Sequence, residues 1–221
     1  MNISCIIPVH NGERYLAEAL DSVLTQDWPG AEIIVVNDGS TDGTTAMLKG
    51  YGGAIQVVEQ PHLGVSAARN RGIRIATGDV IAFQDADDIW PAGRLRAMAE
   101  ALDADTSADI VAGLVEMRDE RRVKPALREN LATLRRLHHM ASLLIRRSVF
   151  DRIGLFDESM RVAEDTEFVM RARQRGITFK LVDQLALIYR LHGESLSQDI
   201  GQNQSAALEM MRSLSLRRRA K

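Results

Sequence analysis

The chain of 221 residues has a single cysteine, Cys5, so no disulfide can form within it, and a lone thiol fits a reducing compartment. It has almost no net charge, −2 at neutral pH, so its overall balance offers nothing to hold nucleic acid or another polyanion. No stretch approaches the ~20 apolar residues that a membrane-spanning helix requires. The opening residues, "MNISCIIPVHNGE", have no basic stretch, and their apolar run is too short for a signal peptide. Internal repeats, low-complexity tracts and flexible linkers are missing too. These absences predict one cytoplasmic domain, touching at most the inner face of a membrane.

What charge there is lies unevenly. Residues 118–139 are rich in Lys and Arg, and the tail 201–221 ends in Arg217, Arg218, Arg219 and Lys221 with no acid after Arg212. Both can be solvated surface. Both can also meet anionic lipid or an anionic acceptor, which would make the tail a peripheral membrane contact.

Apolar residues set out the fold. "ISCIIPV", "AEIIVVND", "AIQVVEQ", "DVIAFQD" and "ADIVAGLVEM" are short, β-branched runs that predict strands. Between them, Leu16, Ala19, Leu20, Val23 and Leu24 recur at helical spacing. "GVSAARNRGIRIA" predicts a helix of small residues, and Pro91 falls in the first turn expected for "PAGRLRAMAEAL". Beyond residue 116 a helix is expected around "AEDTEFVMRARQRG", with two further strands, "TFKLVD" and "LALIYRL". Strands alternating with helices predict an α/β, Rossmann-like domain with a mainly parallel sheet covered on both faces. Ligands in such sheets bind beyond the carboxyl ends of the strands. The polar stretches "PVHN", "NDGSTD" and "QDADD" fall there.

Three acids, Asp85, Asp87 and Asp88, follow one core strand. A turn or a helix cap accounts for one Asp but is strained by three, since crowded carboxylates repel. A divalent cation such as Mg²⁺ or Mn²⁺ removes the conflict, with a substrate diphosphate completing its shell. Asp38 also ends a buried strand, where it could read a nucleobase or serve an ordinary turn. Asp42, a few residues on, is expected to cap the next helix. Glu164 and Asp165 open a helix, where they either complement its dipole or supply a general base. His192 follows the last strand and is either structural or a metal ligand.

The ordered segments "IIPVHNGERYLAEALDSVLTQ", "EIIVVNDGSTDGT", "GVSAARNRGIRIATGDVIAFQDADD", "IGLFDESMRVAEDTEFVMRARQRG" and "YRLHGESLS" resemble family 2 glycosyltransferases, which have the A-type nucleotide-sugar fold. The resemblance runs from Ile3 to about Ser197. It implies that Pro8, Val9, His10, Asn11 and Glu13 line the nucleotide pocket, that Asp38 bonds the base, and that Arg69 lies near the nucleotide or its diphosphate. Asp85, Ala86 and Asp87 resemble the D-x-D motif. Asp87 would be the main ligand of Mn²⁺ or Mg²⁺, with Asp88 beside the metal or sugar and His192 approaching as the C-terminal loop closes. Asp165 resembles the catalytic base, supported by Glu164. The implied activity is inverting, metal-assisted transfer from a nucleotide-diphosphate sugar, by the family's habit a UDP-sugar. The acceptor would be a carbohydrate or lipid-linked hydroxyl, as in polysaccharide or glycolipid assembly. Residues 1–115 would hold donor and metal, and 116–200 the base and acceptor. The sequence departs from the family at His10, where an aromatic residue is common, and at Gln84, which replaces an apolar residue and could touch the donor. It also lacks the long C-terminal extension of processive members, so processive synthesis is not expected. Two other readings remain: an inactive carbohydrate- or partner-binding module on the same fold, and a sugar nucleotidyltransferase. The latter usually carries a Gly-rich phosphate loop that "PVHNGERYL" lacks.

Overall fold

The computed structural model describes residues 1–119 and 139–192. The basic tail 201–221 and nearly all of the basic stretch 118–139 lie outside the described residues. The strands are β1 (Ile3–Val9), β2 (Glu32–Asp38), β3 (Gln56–Gln60), β4 (Val80–Phe83), β5 (Ile110–Asp119), β6 (Leu143–Arg146) and β7 (Phe179–Leu191). They form one seven-stranded sheet in the order β3-β2-β1-β4-β6-β5-β7. Every pairing is parallel except those of β6, which runs antiparallel to both β4 and β5. The helices are α1 (Leu16–Leu24), α2 (Thr44–Gly50), α3 (Val65–Ile75), α4 (Arg94–Asp103), α5 (Ser148–Ile153) and α6 (Glu164–Gln174). A mostly parallel α/β domain was therefore legible from the strand runs.

Strand β1 is buried along its whole length, as a central strand covered on both faces must be. Cys5 lies in it with no exposure, and burial pushes its thiol up to about 12. On one face α1 lays Leu16, Ala19, Leu20 and Val23 against the sheet. On the other, the small residues of α3 bring that helix onto β1. A Cβ added at Gly72 would overlap the fully buried, branched side chain of Ile6. Gly72→Ala is therefore expected to cost about 1–3 kcal/mol by overpacking, measured as a lower urea midpoint with unchanged slope.

Three details depart from the sequence reading. The two strands expected at 178–183 and 185–191 are one strand, β7. Its partner β5 shifts register on either side of Leu114, so "VDQ" is accommodated as a bulge rather than a turn. Gly113 permits it, because a Cβ there would sit 2.5 Å from that of Ala186. Strand β6, four residues long, lies in "MASLLIRR", where no strand was expected. Helix α4 begins three residues after Pro91, because Gly93 takes a left-handed conformation (φ 74°) that no helical turn contains. Pro91 belongs to the preceding turn.

Because β1, β2 and β4 run in the same direction, Val9, Asp38 and Phe83 end on one edge. An isolated bridge between Ile89 and Ile188 draws the loop after β4 onto β7 at the same edge.

Candidate active site

The loops after β1 and β2 are tied to one another. Asn11, itself left-handed (φ 52°), donates its N–H to Ser40 Oγ (2.9 Å) and accepts from Thr41 N–H at Oδ1 (2.8 Å). Glu13 Oε2 accepts from Gly43 N–H at 2.9 Å. Asp42 accepts from Thr44 N–H and from Glu13 N–H, both at 3.0 Å, but the capping position of α2 is Gly43 and not Asp42 as expected. Pro8 and Val9 are buried within β1. Of the residues expected to line the nucleotide pocket, Asn11 and Glu13 thus brace two loops, Pro8 and Val9 pack in the sheet, and His10 is left at the surface.

Asp38 is 3% exposed, and both carboxylate oxygens are occupied. Oδ1 accepts from Gln60 Nε2 (2.6 Å) and Leu63 N–H (2.8 Å), and Oδ2 from Gly64 N–H (2.8 Å) and, at 3.0 Å, His62 Nδ1. Burial pushes this carboxyl up, but the bonds from Leu63, Gln60 and Gly64 outweigh it and hold it below the usual range. The imidazoles of His10 and His62 stack with centroids 3.8 Å apart. His62 was not singled out in the sequence. Asp38 lies 24 residues from it and His10 still further, and no local pattern marks it.

The loop after β4 folds on itself. Gln84 is fully buried and donates from Nε2 to the Asp88 carbonyl (2.7 Å), so its side chain points inward and not toward a donor. Ala86 packs partly buried against the core. Ligand atoms of Asp85, Asp88 and His139 lie within 4.8 Å of one another, a grouping able to hold a metal ion. Asp88 Oδ1 accepts from Arg190 N–H (2.9 Å); among the described residues its buried Oδ2 has no hydrogen-bond partner, nor has the buried Nδ1 of His139, 3.6 Å from Asp85 Oδ2. Asp87 instead pairs with His192 Nε2 at 3.0 Å. Burial, then the neighbouring Asp87 and Asp85, pushes the Asp88 carboxyl well up. Burial and Asp85 push Asp87 up as well, against the pull of His192. The sequence placed the metal on Asp87, Asp88 and His192. The geometry groups Asp88 with Asp85 and with His139, which sits at the end of the basic stretch that carried no readable pattern.

Arg190 braces this loop. It is 1% exposed, and its guanidinium bonds the Asp87 carbonyl, Glu18 and the Tyr15 carbonyl, while its backbone N–H serves Asp88. Removing its side chain would leave the Asp87 carbonyl and Glu18 without this donor, while the backbone bond to Asp88 remains.

Arg69 joins the two halves of the chain. It is 2% exposed, with its guanidinium carbon 5.8 Å from the Phe83 ring and 5.5 Å from that of Phe156. Nη2 donates to Asp85 Oδ1 (2.9 Å), and Nη1 to Glu164 Oε1 (2.9 Å) and Asp165 Oδ1 (2.6 Å). The chain enters α6 through Ala163 in a left-handed conformation (φ 62°), costly for alanine, and both acids then face Arg69. Asp165 Oδ2 also accepts from Met140 N–H at 3.1 Å. Burial pushes the Asp165 carboxyl up, but Arg69 and then His139 overcome it and hold it low. Burial and the adjacent Asp165 push Glu164 up to about 7. Arg69 thus directs three of its five N–H donors at acids, while its buried Nε has no hydrogen-bond partner among the described residues.

The loop after β4, the end of β7 and the start of α6 thus bring the buried Asp88 and the partly buried Asp85, Asp87, Glu164 and Asp165 together with Arg69, Arg190, His139 and His192. Such a site is suited to a divalent cation bound by carboxylate and imidazole, with a low-pKa carboxylate nearby able to accept a proton.

Residues 4–163 match the family described as Glycosyl transferase family 2. The uncharacterized glycosyltransferase EpsJ of Bacillus subtilis is 31% identical over 216 residues, covering 89% of this chain and 63% of its own. The uncharacterized glycosyltransferase YibD of Escherichia coli is 40% identical over 107 residues, covering 47% of this chain and 31% of its own. Among solved structures, S. aureus TarS 1-349 in complex with UDP-GlcNAc superposes with a TM-score of 0.73 at 26% identity, over 90% of this chain and 61% of that one. The mannosyltransferase PcManGT from Pyrobaculum calidifontis, in complex with GDP-Man and Mn2+, superposes at 0.70 with 23% identity over 88% of this chain and 58% of that one, a likeness of fold. The chain thus spans less than two thirds of each of these proteins.

Proposed function

The chain belongs to glycosyl transferase family 2, and from that premise we propose that it moves a sugar from a nucleotide-diphosphate donor to an acceptor hydroxyl with inversion. The observation that carries this reading is Arg69, which bonds Asp85 of the metal-compatible cluster and Asp165 of the base pair through one buried guanidinium. A donor site and a proton acceptor are thereby held in fixed relation, as group transfer requires. A UDP-sugar is the favoured donor, because TarS structures at 25% and 26% identity hold UDP and UDP-GlcNAc. The acceptor is a carbohydrate or a lipid-linked sugar. The buried, lone Cys5 is compatible with a cytoplasmic setting, and no helix among the described residues is long and apolar enough to cross a membrane.

Asp85, Asp88 and His139 would hold Mg²⁺ or Mn²⁺. The unpartnered Asp88 Oδ2 and His139 Nδ1 are the atoms that fit this role, since a buried polar atom without a partner is costly. When bound, the cation stabilises the charge that gathers on the departing diphosphate. Asp87 and His192, paired beside the cluster, would face the donor. Asp165 takes the proton of the acceptor hydroxyl as that oxygen bonds the anomeric carbon and the bond to the diphosphate breaks. Asp165 Oδ1 accepts from Arg69 Nη1 and Oδ2 from Met140 N–H, and a carboxylate has lone pairs beyond these for the proton. Glu164 shares Arg69 with Asp165 and keeps it aligned.

Thermal unfolding with UDP-sugars and Mn²⁺ tests the reading. A donor at a hundred times its Kd adds about 2.7 kcal/mol, or roughly 5–10 °C of Tm for a chain of this size. A chelator should abolish the shift. The absence of a shift with every nucleotide sugar, Mn²⁺ present, would overturn the donor assignment. Pyrophosphate as the product would replace it with nucleotidyl transfer.

A further inference from the structure

Helix α4 opens on a charge set deep in the core. Arg94, its first residue, is fully buried, and its guanidinium carbon lies 3.7 Å from the centre of the buried Trp90 ring. Among the described residues no carboxylate pairs with it, and its Nε and Nη1 have no hydrogen-bond partner. Burial pulls the group down, yet an arginine keeps its charge in a protein. A buried cation without a counter-charge is costly, and leucine or methionine would fill the same space without that cost.

What the guanidinium holds is one short turn. Nη2 donates to the carbonyls of Ala141 (2.8 Å) and Leu143 (3.2 Å). These flank Ser142, the last residue of the buried 3₁₀ turn Met140–Ser142 that leads into β6. Ser142 in turn donates from N–H (2.9 Å) and Oγ (2.7 Å) to the His139 carbonyl. A turn of three residues has too few backbone bonds of its own to fix its place. It nevertheless delivers a group to each side of the site. The His139 imidazole stands with Asp85 and Asp88, and the Met140 N–H bonds Asp165 Oδ2 at 3.1 Å.

We infer that Arg94 is a positioning residue for the transfer: from the core it fixes the Met140–Ser142 turn, and so aligns His139 with Asp85 and Asp88 and the Met140 N–H with Asp165. This rests on the metal reading above. The bonds Arg94 makes are to carbonyls of the turn, so its effect passes through the backbone.

Calorimetric titration of Mn²⁺, with and without UDP, tests the inference on the wild type, Arg94→Met, Arg94→Lys and Leu102→Ala, at a temperature where circular dichroism shows each to be folded. Methionine fills the space of the stem but offers the turn no donor. Arg94→Met should therefore bind Mn²⁺ about ten- to hundredfold more weakly, the usual effect of losing a group that orients a metal ligand. Lysine is one bond shorter, so its ammonium falls short of the carbonyls that Nη2 reaches. Arg94→Lys should bind about three- to tenfold more weakly than the wild type, and it carries the test if the methionine variant does not fold. Leu102→Ala removes buried packing from the same helix about two turns away, destabilises the fold without reaching the turn, and should bind Mn²⁺ as the wild type does. Wild-type affinity in Arg94→Met, or in Arg94→Lys where methionine does not fold, overturns the inference and leaves the metal reading standing. So does an equal loss in Leu102→Ala, which would place the effect in stability alone. A wild type that binds no Mn²⁺ in either condition overturns the metal reading and the inference with it.

Discussion

Asp165→Asn is expected to lower turnover by about a hundred- to ten-thousandfold, the usual contribution of a positioned general base, while nucleotide-sugar binding persists. The substitution is nearly isosteric. The amide oxygen can still accept from Arg69 Nη1, but the amide NH2 cannot accept from Met140 N–H, so one of the two bonds Asp165 now makes is lost. That costs about 1–3 kcal/mol of stability, which most folded domains tolerate. Release of nucleoside diphosphate in the presence of acceptor measures the rate, and calorimetry with the donor and Mn²⁺ measures binding. Normal turnover by the variant would remove Asp165 from the mechanism. Loss of binding together with turnover would instead mark it as a donor contact.

Arg69→Met should have the largest effect on stability. Methionine resembles the arginine stem but lacks the guanidinium that faces the Phe83 and Phe156 rings, and it leaves Asp85, Glu164 and Asp165 without their shared cation. Breaking a buried ionic group from one side costs about 3–5 kcal/mol. The loss should depend on pH, and the sign follows from the direction of each shift. In the wild type Asp165 is held low, so it stabilises the fold above its unfolded pKa, and that contribution disappears as pH falls through the folded value. Without Arg69, burial raises Glu164 and Asp165, opposed at Asp165 by His139 and the Met140 N–H. Folding then favours their protonated forms, and stability is lost as pH rises. Urea unfolding should accordingly show a larger deficit for Arg69→Met at pH 8 than at pH 5. Arg69→Lys keeps the charge but not the fork that serves three carboxylates, and should recover only part of the deficit. A deficit independent of pH would mean that Arg69 acts through packing and not through its charge.

The sequence revealed this site unevenly, for physical reasons. Acids after buried strands were visible because strand period and carboxylate crowding are local patterns, so Asp38, the Asp85–Asp88 cluster and the Glu164–Asp165 pair were all singled out. What each carboxylate bonds depends on residues far along the chain. Asp38 is filled by a loop some 25 residues later, and Arg69 meets acids 16 and 96 residues away. Neither can be seen from spacing. Strand β6 escaped notice because four residues in "MASLLIRR" are too few to separate a strand from a helix by period. Strand β7 was divided in two because a bulge and a turn use the same polar residues, and only Gly113 on the neighbouring strand distinguishes them. His139 and Arg190 gave no signal at all, since a histidine in a basic stretch and an arginine in an apolar strand look like ordinary surface and ordinary exception.

The burial of Cys5 has a practical consequence. The chain's only thiol sits in the middle of its central strand, without exposure and held protonated by its surroundings. An alkylating dye needs both access and the thiolate, and the folded protein supplies neither. Labelling is therefore gated by opening of the sheet centre, among the last parts of such a fold to come apart. Without any engineering the molecule carries its own clock for global unfolding, and the labelling rate with and without a donor would read directly how far ligand binding slows it.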